Sequence, residues 1–417
     1  MAVKRQATVL KATDHMLQFV ARSYREDEGY LCQGTSEPES RSIDVELHTV
    51  DLKWHIKVTF EGLLQSSYPR CLPKTKPKRK KDLQELCAQI CFGNVPLLND
   101  TVTEVVITLA SDDKQGQFAR LPLRSPTIGV AAPESQNQFA AVIRDLRFRV
   151  QEDASRVLYP RVSSVAVLPK RWLSTIEIID TIGGKVDIVQ VAGDVTGTFI
   201  YKKVERPFYE QGDTAVFQQE VENMQLCRGV QHVVQPVAVV VSRNPYQTSK
   251  IETASDPVVI RGVLVEYHSR GTLRDALTSP AHRGLPWQRW PLQIAIGLSD
   301  LHLRGIAHMD IKPENIVISA GGDAVIIDIG GMGFTREWLA PEMANRPLSR
   351  PLRERMQNDI WAFGKILSSM AEHLGNGWEK RLLRIVAAKA CIKDPDSRIT
   401  LSSASTMLAR LAPTQDQ

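Results

Sequence analysis

The sequence predicts an α+β chain in two parts, the second of them two-lobed. Three observations carry that prediction. Between Ile43 and Phe60 apolar and polar residues alternate, as in a strand with one wet face. From about residue 170, short β-branched runs surround a single helical stretch, and after Gly271-Thr272-Leu273 the pattern turns mostly helical. A sheet carrying one helix, then a helical half, is a bilobal layout with a cleft between. Third, the stretch His308-Met309-Asp310-Ile311-Lys312-Pro313-Glu314-Asn315, followed by Asp328-Ile329-Gly330, gathers a base, a cation and two oxygen donors in one short span.

The bulk properties set limits on class. The 417 residues allow two or three domains, and 43% hydrophobic with 24% charged residues is ordinary globular composition. A net charge of +5 does not argue for nucleic acid or a membrane. Neither a membrane partner nor a nucleic-acid-binding fold is expected. Val237–Val241, the longest aliphatic patch, is strand-sized, and Lys4, Arg5, Lys11, Asp14 and His15 leave no apolar signal core. Six scattered cysteines, with only Cys87 and Cys91 close, read as reduced thiols of a cytoplasmic or nuclear protein.

Residues 1–165 are expected to form a small α+β accessory region. An amphipathic helix is expected over 5–22, with Val9, Met16 and Val20 on one side, and a loop over 25–42. In the strand pattern, Ile43, Val45 and Leu47 share one phase, whereas Val50, Leu52, Trp54, Ile56, Val58 and Phe60 share the other. The flip near His48-Thr49 implies a bulge or turn. Residues 70–81 hold seven basic residues and no acidic one, so a solvated loop is expected there. A nuclear-import receptor contact through 74–81, or a polyanion contact, is the functional reading. Asp82–Ile90 should be helical, Val105–Leu109 a strand, 111–137 loop-like, and Phe139–Phe148 a helix.

The second part spans 170–412. Strands are expected at Ile176–Ile179, Val189–Val191, Thr198–Lys203, Val233–Val241 and Val258–Glu266, with a helix near Val216–Cys227. Ile316-Val317-Ile318 and Val325-Ile326-Ile327 should form a hairpin about Gly321-Gly322-Asp323.

These residues, in this order, resemble the protein kinase catalytic domain. Asp359-Ile360-Trp361-Ala362-Phe363-Gly364 matches the helix start after the catalytic segment. Ala340-Pro341-Glu342 matches the segment's end, with Arg398 as the ion-pair partner. The resemblance implies ATP and Mg²⁺ as cofactors and a protein hydroxyl as acceptor. Asp310 would be the orienting base and Lys312 would lie beside the transferred phosphoryl group, a Lys typical of the Ser/Thr class. Asn315 and Asp328 would hold the metal, and His308 would be structural. In the small lobe it implies Gly183 and Gly184 in the phosphate loop and Lys202 on the phosphates. Glu220 would pair with Lys202, with Glu222 as the alternative. Val265 would be the gatekeeper, and Glu266 and His268 would belong to the hinge.

Four departures qualify the resemblance. Gly183-Gly184-Lys185-Val186-Asp187 replaces three spaced glycines, Ile200 stands where Ala is usual against adenine, and Ile329 replaces Phe. Met309 replaces the Arg that pairs with a phosphorylated activation segment. Only Gly331-Met332-Gly333-Phe334, with no hydroxyl, separates the metal triplet from Thr335. The resemblance, with these departures, therefore implies an ATP-dependent Ser/Thr protein kinase not controlled by activation-loop phosphorylation. The alternative is a pseudokinase acting as a nucleotide-binding or scaffolding module.

Overall fold

The computed structural model describes residues 7–8, 16–27, 37–62, 75–110, 118–124, 145–162, 168–184, 186–193, 197–205, 209–253, 256–279, 285–345 and 347–411. Contacts divide the chain into two compact units. One comprises residues 1–156 and 243–257; the other comprises 157–242 and 258–417.

The first unit is built on one mixed sheet. Its strands are β1 (Ala7–Thr8), β2 (Met16–Phe19), β3 (Arg25–Glu26), β4 (Ser40–His48), β5 (Lys53–Glu61), β6 (Leu97–Leu98), β7 (Val102–Leu109), β8 (Ala119–Arg120) and β9 (Leu146–Glu152). The main order is β2-β4-β5-β7-β9-β8, with β3 on β4; β1 and β6 pair separately. The expected phase flip is a turn at 49–52. Ile43, Val45 and Leu47 before it, and Trp54, Ile56, Val58 and Phe60 after it, are all buried. Val50, assigned to the second set, is 88% exposed because it lies in that turn.

β5 and β7 are parallel and so need a crossover, which α1 (Lys76–Gln89) supplies. Its Leu83, Leu86 and Cys87 enter the sheet's core. Each such buried aliphatic is worth about 1.5–3 kcal/mol.

Three expectations are corrected here. In the basic tract, 70–74 lie outside the described residues, but from Lys76 the chain is helix rather than loop. Pro77 sits in the first turn, where its missing N–H costs nothing. Of the helix expected over 5–22, residues 5–6 and 9–15 lie outside the described residues, and 7–8 and 16–19 are the strands β1 and β2, whose partners β6 and β4 lie far along the chain. The helix expected over 139–148 fails from Leu146, where Leu146, Phe148 and Val150 alternate along β9 against β7.

The returning segment 243–257 completes this unit. Lys53 N donates to Thr248 O at 2.7 Å, and Lys250 N to Asp51 O at 2.7 Å. Asp100 and Thr248 exchange bonds of 2.8 and 2.9 Å, and Tyr246 meets the His55 ring edge-on at 5.4 Å.

In the second unit, β10 (Lys170–Trp172), β11 (Ile176–Gly183), β12 (Val186–Val191), β13 (Thr198–Lys203), β14 (Pro236–Arg243) and β15 (Val258–Glu266) form a sheet in the order β10-β14-β15-β13-β12-β11. Its two faces have separate cores. Ala238, Val240, Leu264, Tyr201 and Val189 line one. Val239, Val241, Val263 and Val265 face the other with α2 (Gly212–Leu226). That second core continues through α3 (Leu273–Thr278), α4 (Trp290–Leu303), the hairpin β16 (Ile316–Ile318) and β17 (Ala324–Ile326), α5 (Leu352–Glu372), α6 (Trp378–Ala390) and α7 (Leu401–Leu408). This is the expected α+β, bilobal arrangement. Asp359 lies inside α5, not at its start, because Leu352–Asn358 already propagate the helix with Leu, Arg, Glu, Met and Gln, all good helix formers.

Among the described residues no helix is long and apolar enough to cross a membrane, and Cys87, Cys91, Cys227 and Cys391 are free thiols.

Candidate active site

The period of two along β13 places Lys202 on the α2 face and Lys203 on the opposite one. There Lys203 Nζ meets the buried Asp187 carboxylate at 2.7 Å. β13 can lie this close to β15 only because residue 262 is glycine; a Cβ there would stand 2.3 Å from Lys202 O and from the Tyr201 ring. α2 presents Glu220, Asn223 and Met224 on one face. Met224 is buried in the core. Asn223 Nδ2 donates to Ile329 O at 2.7 Å, and Glu220 reaches Lys202. Of the two glutamates considered, the structure pairs Glu220 with the lysine.

Lys202 Nζ also bonds Asp328 Oδ1. Burial alone would pull this ammonium's pKa down. The carboxylates of Glu220 and Asp328 together outweigh it, so the net direction is up and the lysine stays charged. Asp328 has φ +62°, a left-handed conformation that is uncommon for a non-glycine residue and concentrates at functional sites. Ile329 beside it is buried, and its carbonyl is the one held by Asn223.

A second cluster forms around Asp310. The buried Asp359 carboxylate accepts His308 N and Met309 N, both at 2.7 Å, and lies 3.0 Å from His302 Nε2. His308 Nε2 donates to Ile327 O at 2.7 Å, which leaves Nδ1 as acceptor for Asp310 N at 3.2 Å. Met309 turns into the core with φ +67°. With its backbone fixed on both sides, Asp310 has little freedom. Its Oδ2 accepts Lys312 Nζ at 2.7 Å and Asn315 Nδ2 at 3.1 Å. Lys312 also bonds Thr335 Oγ1 at 2.8 Å. Asp310 Oδ1 is buried and accepts no hydrogen bond. At the segment's end Arg398 makes a forked ion pair with Glu342, at 2.6 and 2.9 Å.

The remaining expected residues lie along the sheet. Val265 is buried directly opposite Ile200, and Glu266 ends β15 opposite Phe199. Burial raises the Glu266 carboxyl and lowers the His268 imidazole. Gly183 and Gly184 are exposed where β11 ends; a Cβ on Gly183 would meet nothing within 4 Å. Lys185 lies outside the described residues. Gly183 is paired with Val186 at the end of the β11–β12 ladder.

Asn223 and Asn358 were not singled out from sequence. Asn223 could have been found, since it is a polar residue at i+3 from Glu220 on a face that must turn inward. Asn358, whose Oδ1 accepts Ala340 N at 2.8 Å, gives no signal before Asp359 is known to be buried.

The donor set fits a hard cation arriving with phosphates. Asn315 and Asp328 offer side-chain oxygens that could hold it, and Lys202, Glu220 and Asp328 together carry one excess negative charge. Among the described residues no cluster of three or more His, Cys, Asp or Glu forms a metal cage. Mg²⁺ is ordinarily held by one or two carboxylates and the substrate's phosphates, not by such a cage.

Comparison with known proteins agrees with this geometry. The protein kinase domain family model matches residues 183–380. Mitogen-activated protein kinase kinase kinase 17 of Arabidopsis thaliana is 33% identical over 139 residues, covering 30% of this chain and 36% of that protein. Serine/threonine-protein kinase STE20 of Saccharomyces cerevisiae is 30% identical over 133 residues, covering 28% of this chain and 14% of that one. The mouse activin receptor type-1 is 28% identical over 138 residues, covering 27% of each chain. The matches thus span about a third or less of these relatives' lengths. Residues 183–380, which hold the paired Lys202 and Glu220 and the Asp310–Lys312–Asn315 cluster, match the protein kinase domain family.

Proposed function

We propose that the chain is an active Ser/Thr protein kinase, transferring the γ-phosphoryl group of ATP to a protein hydroxyl. The observation that carries this is the asymmetry of Asp310. One carboxylate oxygen is saturated by Lys312 and Asn315, and the other is buried with no donor. A buried acceptor left unpaired costs about 1–3 kcal/mol, and an incoming hydroxyl would remove that cost.

In this reading Asp310 Oδ1 accepts the hydroxyl proton as the new O–P bond forms and the bond to the β–γ bridging oxygen breaks. Lys312, held between Asp310 and Thr335, faces the transferred group. Lys202 steadies the phosphates, and the β15 end at Val265, Glu266 and His268 receives adenine. Gly183 and Gly184 cover the phosphates. Asn315 and Asp328 would hold Mg²⁺, which supplies charge neutralisation on the phosphates when bound.

A protein acceptor is supported by a hollow of about 640 Å³ lined by Phe334, Arg336, Leu339, Pro341, Pro347 and Leu348, immediately around Thr335. The segment's lack of a hydroxyl in 331–334 and the buried Met309 support activity independent of activation-loop phosphorylation. The basic tract at 74–81 is proposed as an import-receptor contact, for a protein of the cytoplasm or nucleus. An unchanged nuclear fraction after replacing 78–81 by alanine would remove that contact.

The deciding experiment pairs a thermal shift in Mg-ATP with phosphoryl transfer by wild type and Asp310→Asn. A shift for both and a loss of about 10²–10⁴-fold in rate for the variant are expected. A shift without any transfer by wild type would make the domain a nucleotide-binding pseudokinase; no shift at millimolar nucleotide would make it a scaffold.

A further inference from the structure

A kinase segment without a phosphate still needs something to hold it. α5 carries Arg355, Asn358, Ala362 and Lys365 at i, i+3, i+7 and i+10, one stripe of a 3.6-residue helix. Three of the four reach the main chain of the segment. Arg355 Nη1 approaches Gly331 O at 3.5 Å, a long contact, and its Nε is buried without another acceptor. Asn358 Oδ1 accepts Ala340 N at 2.8 Å. Lys365 Nζ donates to Glu337 O, and its ammonium lies 5.2 Å from the centroid of the buried Trp338 ring. These contacts fall at the beginning, middle and end of residues 331–340. The fourth member, Ala362, is small and buried, so nothing on the stripe holds the segment off.

The adjoining residue of the same helix, Asp359, fixes His308 N and Met309 N. One rigid element therefore sets both the catalytic loop and the segment. Their separation decides whether Thr335 meets Lys312.

We propose that the Arg355–Asn358–Lys365 stripe is a built-in clamp that positions residues 331–340, taking the place of an activation-segment phosphate and its arginine. These are positioning residues, since they act through Thr335 and Lys312. The clamp binds carbonyl and amide groups, so it requires no modified side chain. Gly331 is suited to it, because its φ of +67° brings the chain so close to Ala307 O that a Cβ would stand 2.7 Å away. The clamp's catalytic role rests on the kinase reading above, but its structural part does not.

The test uses the full chain, treated with phosphatase, with Mg-ATP and casein as a generic acceptor. Arg355→Met and Lys365→Met keep the stem of each side chain and remove its charge; Lys365→Arg is the conservative control. Amide hydrogen exchange should rise about tenfold across 331–340 in both Met variants, and not in α5 or α6. The transfer rate should fall about tenfold or more, with the apparent KM for Mg-ATP changed less than about twofold, and Lys365→Arg should restore both readouts. Unchanged exchange at 331–340 would overturn the clamp, as would a rise spread evenly through α5 and α6. Activity of wild type that vanishes on phosphatase treatment would show that a phosphate does this work. Wild type that transfers no phosphate would overturn the kinase reading alone, because exchange still decides the clamp.

Discussion

Two hairpins of the second unit differ in almost every respect. In β11–β12, all residues of β11 after Ile176 are exposed, including Ile178, Ile179 and Ile182, and the register slips twice. In β16–β17, Ile316, Ile318, Ala324 and Ile326 are buried and the register is regular. Asn315 and Asp328 flank that second hairpin and take their positions from it. The first hairpin carries the glycine-poor loop, whereas the second is flanked by Asn315 and Asp328, the two proposed metal ligands. A side chain that meets nothing is free to change; one that fills a core or closes a hydrogen-bond network is not. The two hairpins thus show how a poor glycine spacing and an unbroken set of proposed site residues coexist in one chain.

Perturbing the buried side should cost far more than perturbing the exposed side. The largest effect is expected for Lys202→Met, which leaves Glu220 and Asp328 facing each other without their cation. Phosphoryl transfer should fall about 10²–10³-fold. A loss under about threefold in steady-state rate would mean that Lys202 is not the phosphate ligand.

A buried group of the first unit provides a control on the pH axis. His55 in β5 is pushed from its ordinary 6.5 to about 4, chiefly by burial, with the Lys53 charge adding to this. Glu46 opposes the shift, His48 adds to it, and the Pro245 carbonyl accepts from the ring. The folded state therefore holds the imidazole neutral while the unfolded chain binds a proton below 6.5. Its contribution is fully present above 6.5 and is lost as pH falls from 6.5 to about 4, up to about 3 kcal/mol. Urea unfolding across that range should show the slope in wild type and a flatter one in His55→Phe.

Gly331→Ala comes next. The left-handed backbone and the Ala307 carbonyl together predict about 1–3 kcal/mol of local destabilisation, read as faster amide exchange over 331–335. Gly183→Ala should be the smallest, under about 0.5 kcal/mol and under about twofold in apparent KM for Mg-ATP, because its Cβ enters open space. A tenfold rise in that KM would show the exposed hairpin to be as exacting as the buried one, and the contrast would fail.

The clustering of Asp310, Lys312 and Asn315 was legible in sequence because their spacing is short. Lys202 against Lys203 followed from strand parity, and Glu220 from its distance to the next strand. The α+β order was legible for the same local reasons: β15 matches Val258–Glu266, and the flip at His48–Thr49 is a real turn. What escaped reading depends on partners far along the chain. β2 needs β4, and β9 needs β7, before a short mixed run can be told from a helix. Only the first part of α1, residues 76–81, escaped, because the basic tract suggests a loop when the apolar face, Leu83 and Leu86, starts only later; the helix from Asp82 was read. The stripe on α5 gave no sign because its acceptors are backbone atoms.

The segment 243–257 has a consequence for the order in which the protein can be made. It leaves the second unit between β14 and β15 and finishes the first, supplying the partners of Lys53 N and Asp100 N and the ring beside His55. During synthesis the first unit therefore emerges with those groups unmet. It stays incomplete until roughly a hundred further residues have appeared, about 5–20 s at ordinary elongation rates. Maturation of the amino-terminal unit is thus timed by the emergence of the strand that carries Val265. A truncated chain ending before 243 would release a unit that had folded around a missing piece.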